Sequence, residues 1–387
     1  MWYFDSPHIV YGEDALSYLQ NVRGRRAFIV TDPNMLRLGH VDLVKSQLEA
    51  AGLQVAVFAE VEPDPSIQTV RRGAAAMAEF GPDWIVGLGG GSSMDAAKAM
   101  WILYERPDIS PEGINPFDTY NLRQKARLIN IPTTSGTGAE VTWAIVLTDT
   151  EERRKLGLGS RECTADIAIL DPVFVQQLPP ALIADTGMDA LTHAFEAYVN
   201  VWHNDFTDGL ALQAIKLIFH YLPLSYAGDE ESGAREHMHN AAAIAGLAFG
   251  NSLCAVAHAM GHALGAVFHM PHGRAVGLLL PYTIEFCAPS NEARYLDIAH
   301  FLGLEAQTEQ EAGARLAESV RTLAREIHQP LTIAAAGVSR EAFEAQLEKL
   351  VDNAEGDTSI VGSPRIPCRE ELARLYRYAF EGRSVDF

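Results

Sequence analysis

DWIVGLGGGSSMDAAKAMWILY, residues Asp83 to Tyr104, reads as an apolar strand that runs into three glycines and emerges as a helix. Glycines at such a junction let the backbone approach a ligand closely, and the N–H groups at a helix start can cradle a pyrophosphate. An ordinary tight strand–helix turn would also explain glycines here. Three in a row followed by serine, after so apolar a strand, favour a phosphate site. The match to the usual dinucleotide fingerprint is incomplete: Gly87-x-Gly89-x-x-Ser92 ends in serine, and no acidic residue follows ~20 positions on. An acidic residue precedes it instead. Asp32 closes the first of the expected strands, where a carboxylate can take ribose hydroxyls.

Working outward, short β-rich runs alternate with helical patterns. AFIVTD (Ala27 to Asp32), QVAVFAE (Gln54 to Glu60), ARLINIPTT, VTWAIVLTD and ADIAILD read as strands. VDLVKSQLEAAG (Val41 to Gly52) and SIQTVRRGAAAMAEFG (Ser66 to Gly81) read as helices, the first closed by its Gly and the second N-capped by Ser66. That alternation implies a mainly parallel, doubly wound α/β sheet with both faces covered. The pattern changes near Leu178-Pro179-Pro180. Beyond it the periodicity is almost wholly helical, with loops expected at AGDEESG (Ala227 to Gly233) and EGDTSIVGSP (Glu355 to Pro364). The expected organisation is an α/β nucleotide-binding domain over 1–178 and an all-α domain over 179–387.

At 387 residues, two domains is the natural expectation. A net charge of −20 disfavours nucleic acid or an anionic membrane as partner, because a phosphate polymer would be repelled. The four cysteines (Cys163, Cys254, Cys287 and Cys368) form no CxxC pair, so neither disulfides nor a zinc knuckle is expected. The N-terminal MWYFDSPHIVYGED lacks the basic start and apolar run of a signal peptide. The most apolar span, Ala241 to Phe268, is interrupted by Asn251, Ser252, His258 and His262, and suits buried helices better than a membrane segment. The expectation is a cytoplasmic protein.

HAMGHALGAVFHMPHG, His258 to Gly273, holds four of the chain's 13 histidines. His258 and His262 share a helix face at a spacing of four. The zinc-hydrolase reading needs Glu after the first His, and Ala259 stands there, so it fails. His272, between Pro271 and Gly273, lies just past a helix end. A single histidine on an apolar helix is usually a core residue; four together point to a metal or to proton transfer. A second constellation, DTGMDALTHAFEAYV (Asp185 to Val199), sets Asp189 and His193 four apart. Alone it reads equally well as a capping Asp and a core His.

GGGSSMDAAKA, IPTTSGTGAEVT (Ile131 to Thr142), DTGMDALTHAFEAY and HAMGHALGAVFHMPHG, in that order, resemble the iron-containing (group III) alcohol dehydrogenases. The likeness runs over nearly the whole chain and includes the LPP at 178–180 and the SPR at 363–365. It implies an active site in the cleft between the two domains. The resemblance implies a metal held by Asp189, His193, His258 and His272, with His262 near the substrate; it gives His269 no role, and His269 is read as structural. Fe(II) and Zn(II) both suit three imidazoles and a carboxylate. On the coenzyme side it assigns Gly90, Gly91 and Ser92 to the pyrophosphate, Thr133, Thr134 and Thr142 along the nucleotide, and Lys155 near its ribose. Asp32 then implies NAD, because a 2′-phosphate would sit against this carboxylate.

The implied activity is an NAD- and metal-dependent alcohol dehydrogenase for small primary alcohols and their aldehydes, in a homodimer or larger homo-oligomer. Phe249 is implied to lie beside the substrate. Ala144 stands where lactaldehyde reductases often carry Asn, which makes the expected pocket wall apolar. The rivals are a lactaldehyde reductase or a 1,2- or 1,3-propanediol dehydrogenase, a zinc polyol dehydrogenase or a dehydroquinate-synthase-like lyase on the same scaffold. Metal-dependent hydrolysis without a coenzyme and a non-catalytic NAD sensor complete the set.

Overall fold

The computed structural model describes residues 3–151, 154–229, 231–290 and 292–387. The chain divides into two compact units, Met1–Gln177 and Leu178–Phe387, a division one residue before the expected boundary.

In the first unit the strands are β1 (His8–Tyr11), β2 (Arg26–Val30), β3 (Gln54–Phe58), β4 (Trp84–Gly89), β5 (Arg127–Pro132), β6 (Ala144–Asp149), β7 (Arg154–Gly159) and β8 (Ile167–Leu170). Six form one sheet in the order β1-β8-β5-β4-β2-β3, and every pairing in it is parallel. The helices are α1 (Pro33–Arg37), α2 (His40–Ala50), α3 (Ile67–Phe80) and α4 (Gly91–Glu105). Ser66 caps α3 by accepting from Thr69 N, as its sequence suggests.

Side chains alternate across a strand, so one strand feeds two cores. Phe28 and Val30 join Val70, Met77 and Met100 of α3 and α4 in one buried cluster, while Ala27 and Ile29 join Val41, Val44 and Leu48 of α2 in another. The sheet is therefore covered on both faces, and every residue of β4 is buried.

Two expectations need correction. The run at 27–32 is the second strand; the first, β1, is only four residues long and pairs with β8. VTWAIVLTD does not join the main sheet. Its core, β6, pairs antiparallel with β7 in a separate two-stranded sheet, Ala144 opposite Gly159.

The second unit is helical among the described residues: α5 (Pro180–Val199), α6 (Asp205–Ala227), α7 (Ala234–Gly250), α8 (Val256–Phe268), α9 (His272–Cys287), α10 (Tyr295–Phe301), α11 (Glu309–Glu326), α12 (Arg340–Glu355) and α13 (Arg369–Glu381). The LPP signal marks the start of α5, with Pro180 at its first position, where a missing N–H costs nothing. The expected loop at 227–233 separates α6 from α7, Glu230 lying outside the described residues, and the one at 355–364 contains a short 3₁₀ turn, Thr358–Gly362. Every residue of α5 from Gly187 to Val199 is buried. A polar stripe on such a helix points into the unit, not to solvent. Asp189, His193 and Glu196, spaced four and three apart, form that stripe. Among the described residues no helix is long and apolar enough to cross a membrane.

Candidate functional site

Three elements of the second unit bring the candidate ligands together. Asp189 and His193 lie on adjacent turns of α5, His258 stands in the first turn of α8, and His272 is the first residue of α9. One donor atom from each lies within 4.8 Å of the other three. The Nε2 atoms of His272, His258 and His193 stand 3.3, 3.7 and 3.8 Å from the single oxygen Asp189 Oδ1. Four donors held roughly 2.1 Å from one ion stand about 3.4 Å from each other, so the spacing fits a metal.

The start of α9 is pinned to α5. Arg274 donates Nε and a terminal N–H to the two oxygens of Asp185 at 3.0 and 3.1 Å, and Gln329 Nε2 adds a 2.8 Å bond to Oδ1. Gly273 allows the approach: a Cβ there would lie 2.1 Å from the Asp185 carbonyl oxygen. His269, between the helices, closes α8 in the left-handed region at φ 54°.

Asp189 Oδ1 and His258 Nε2 are both buried without a hydrogen-bond partner among the described residues. The opposite nitrogen of His258, Nδ1, bonds Glu196 Oε2 at 2.6 Å, so Nε2 is the atom presented to Asp189. Two acceptors facing each other in a buried site repel unless a positive charge lies between them. Without a metal a proton fills that role. Burial disfavours charging His258, but Cys254, Glu196 and Asp189 outweigh it and raise its pKa well above the imidazole range. Burial would likewise raise the Asp189 carboxyl, yet His193, His272 and His258 hold it well below the carboxylate range. The donor set fits a divalent ion.

His262 follows a different course. Its Nδ1 lies 2.8 Å from Asp357 Oδ2, and its ring stacks on His272 with centroids 5.2 Å apart. Burial lowers the His262 pKa, opposed by Asp357. Burial opposes ionisation of Asp357 too, but its bonds with His262 and Ser359 bring it down to about 2. A neutral imidazole therefore donates Nδ1–H to an ionised carboxylate, which leaves Nε2 as the acceptor. A third of the His262 side chain is exposed. The Phe249 ring lies flat on His193, centroids 4.0 Å apart.

In the first unit Gly90 N-caps α4 with no side-chain cap, which leaves the helix start for a ligand. A Cβ at Gly90 would meet only Thr134, at 3.6 Å, and one at Gly91 would meet Thr137. Gly89 turns the chain at φ 144°, and Asp32 Oδ2 lies 3.4 Å from where its Cβ would be. Asp32 Oδ1 accepts from Asn34 N at 2.8 Å. Thr133 N donates to Gly89 O, so β5 ends against the same turn. Ser92 Oγ accepts from Asp64 N, and Asp64 Oδ1 bonds Lys155 Nζ at 2.7 Å, which brings Lys155 of β7 to the turn. Thr142 is buried just before β6. Ala144 opens β6, and its carbonyl accepts from the fully buried Lys98 at 2.8 Å.

The sequence reading gave no role to Glu196 or Asp357. Glu196 had a signal, its place on the stripe of Asp189 and His193. Asp357 had none, because its partner is 95 residues away.

Residues 6–172 match the model of the iron-containing alcohol dehydrogenases, and 183–380 that of the C-terminal region of the same family. An NADPH-dependent butanol dehydrogenase of Clostridium saccharobutylicum is 42% identical over 381 residues, 98% of either chain. A bifunctional aldehyde-alcohol dehydrogenase of Escherichia coli (strain K12) is 40% identical over 387 residues, 93% of this chain but 43% of its own length; the chain thus spans under half of that relative. The iron-containing alcohol dehydrogenase of Thermococcus thioreducens superimposes with TM-score 0.90 at 34% identity, covering 99% of this chain and 100% of that one. A sulfoacetaldehyde reductase of Bifidobacterium kashiwanohense, solved in complex with NAD+, gives 0.87 at 26%, covering 98% of each. The chain belongs to the iron-containing alcohol dehydrogenase family.

Proposed function

We propose that the protein is an NAD-dependent alcohol dehydrogenase that requires a divalent metal and acts on small primary alcohols and their aldehydes. The observation that carries this reading is the convergence of three imidazole Nε2 atoms on one unpartnered carboxylate oxygen, Asp189 Oδ1. Asp189, His193, His258 and His272 would hold the ion. The donors suit Fe(II) and Zn(II) alike. A bound divalent ion supplies Lewis acidity at the substrate oxygen, and a bound nicotinamide carries the hydride.

The chain's own groups do the rest. Gly90, Gly91 and Ser92 offer backbone and hydroxyl contacts to the pyrophosphate at the uncapped start of α4, with Thr133, Thr134 and Thr142 along the nucleotide. Lys155, held through Asp64, reaches the ribose. Asp32 beside Gly89 takes ribose hydroxyls and opposes a 2′-phosphate, the point on which this chain would differ from its NADPH-dependent relative. His262 Nε2 moves the proton between substrate oxygen and solvent, with Asp357 holding its Nδ1–H. Phe249, flat on His193, gives the substrate an apolar wall, and Ala144 offers no hydrogen bond. Apolar burial contributes roughly 0.8 kcal/mol per methylene, while the second hydroxyl of a diol would lose water without a partner.

The test is NADH absorbance with ethanol, 1-propanol, 1-butanol and 1,2-propanediol, using protein reconstituted with Fe(II) or Zn(II). We expect kcat/KM to rise from ethanol to butanol and 1-propanol to exceed 1,2-propanediol. The reverse order for the last pair indicates a lactaldehyde reductase, and full activity in metal-free protein removes the metal from the reading.

A further inference from the structure

We infer that Glu196 is a positioning residue that fixes the orientation and tautomer of His258, and with them the affinity of the metal site. The inference rests on the reading of Asp189, His193, His258 and His272 as metal ligands.

Glu196 is 3% exposed and lies one turn beyond His193 on α5. Its Oε2 takes Ala255 N at 2.7 Å and His258 Nδ1 at 2.6 Å. Its Oε1 takes Ala257 N at 2.5 Å and His258 N at 3.3 Å. An ionised carboxylate has about four acceptor sites and no donor. All four are used.

Two consequences follow from that count. Glu196 and Cys254 also lie within ligand distance of His258, but a saturated carboxylate has no lone pair left for an ion on that side. And because Glu196 can only accept, Nδ1 must be the protonated nitrogen of His258. When a metal replaces the bridging proton, Nε2 is then left as a lone pair on the side of Asp189 Oδ1, 3.7 Å away. The ring faces the cluster in the one form that can ligate.

The same carboxylate caps α8. Ala255, at the N-cap, offers no side chain to the first N–H groups of the helix, and Glu196 takes three backbone N–H groups at this end in its place. The connection before it is under strain. Leu253 sits at φ 95°, a conformation a branched side chain rarely adopts. Asn200 Nδ2 holds the carbonyls of Leu253 and Cys254 at 3.1 and 2.9 Å. Asn200 and Glu196 on one side thus fix both the path of the chain and the ring it delivers.

The decisive variant is Glu196→Gln. Its NH2 in the place of Oε1 would oppose two backbone donors, Ala257 N and His258 N, so the favoured orientation sets NH2 in the place of Oε2, where it opposes Ala255 N alone and faces His258 Nδ1 as a donor. That pushes the imidazole proton to Nε2, where it blocks the metal. Zn(II) affinity, read by competition with a chromophoric chelator, should fall roughly 10-fold to 100-fold. Glu196→Asp, which stays an acceptor, should recover part of the loss. Ring 15N shifts of Zn(II)-loaded wild-type protein should put the His258 proton on Nδ1. A proton on Nε2, or unchanged Zn(II) affinity in a folded Glu196→Gln variant, overturns the inference, since a cap alone would lower stability and leave the tautomer alone. If Glu196→Gln does not fold, the wild-type tautomer decides. If wild-type protein binds neither Zn(II) nor Fe(II), the metal reading fails by itself. The ring shifts of metal-free protein, taken at a pH where His258 is neutral, then still report whether Glu196 holds Nδ1–H.

Discussion

Gly273→Ala tests whether the packing of α9 on α5 sets the metal site. The new Cβ would lie 2.1 Å from the Asp185 carbonyl oxygen, 2.8 Å from its carbon and 3.0 Å from Asp189 Cβ. The closest comfortable carbon–oxygen approach is about 3.3 Å, so α9 must retreat on the order of 1 Å. Two of the obstacles are backbone atoms of a helix, which cannot swing aside. Overpacking of this kind costs roughly 1–3 kcal/mol, a fraction of the ~5–15 kcal/mol that holds a domain folded. The unit should therefore persist. His272 is the residue next to Gly273, and ligand distances tolerate only about ±0.2 Å. A retreat several times larger removes one of the four donors. We expect a folded protein by circular dichroism, a lower urea midpoint, and Zn(II) affinity reduced at least 10-fold by chelator competition. Gly209→Ala is the control: nothing lies within 4 Å of its Cβ. The same change inside α6 should stabilise by up to about 1 kcal/mol and leave the metal alone. A Gly273→Ala protein with wild-type metal affinity and stability would refute the packing argument.

Other expectations test the remaining parts. Asp32→Gly should shift coenzyme preference toward NADP, measured as the ratio of kcat/KM values; an unchanged ratio means that Asp32 does not face the ribose. Asp357→Asn should retain metal and lose kcat on the order of 10²-fold, because His262 loses the carboxylate that fixes its tautomer; wild-type turnover would remove His262 from proton transfer. His272→Ala should lose metal where His262→Ala retains it, and the opposite pattern in metal analysis reverses the ligand assignment. Glu140, 2% exposed, has its pKa raised from 4.5 to about 7 by burial, with a backbone bond and Lys98 opposing. A carboxyl with a raised folded-state pKa stabilises fully below about pH 4.5, and that contribution is lost as pH climbs through about 7. Glu140→Gln should therefore gain about 3 kcal/mol on the wild type between pH 4.5 and 8, read from urea midpoints; a constant gap means that folding does not raise the Glu140 pKa.

The sequence displayed which residues share a face better than it displayed what that face meets. Strand–helix alternation was enough for the doubly wound sheet, because buried parallel strands are continuous apolar runs, and WIVGLG and RLINIP are such runs. The same signal misled at VTWAIVLTD. An apolar run says that a strand is buried, not which neighbour it pairs with, and its partner RKLGLG, with two basic residues and two glycines, hides its own strand character. In the site, the spacing of four that joins His258 and His262 is real, but the two rings are committed to different carboxylates. His258 bonds Glu196 through Nδ1 and turns Nε2 to Asp189, whereas His262 bonds Asp357 through Nδ1. Local spacing could not show this difference, because each ring is held by a carboxylate on another element. The glycine of PHG shows the same limit from the other side. It is helical, so no turn demands it; the demand comes from the Asp185 carbonyl, 88 residues earlier in the chain. The candidate ligand types were thus open to inspection in the sequence, while their aim was written in the carboxylates and packing behind them, which only the folded chain assembles.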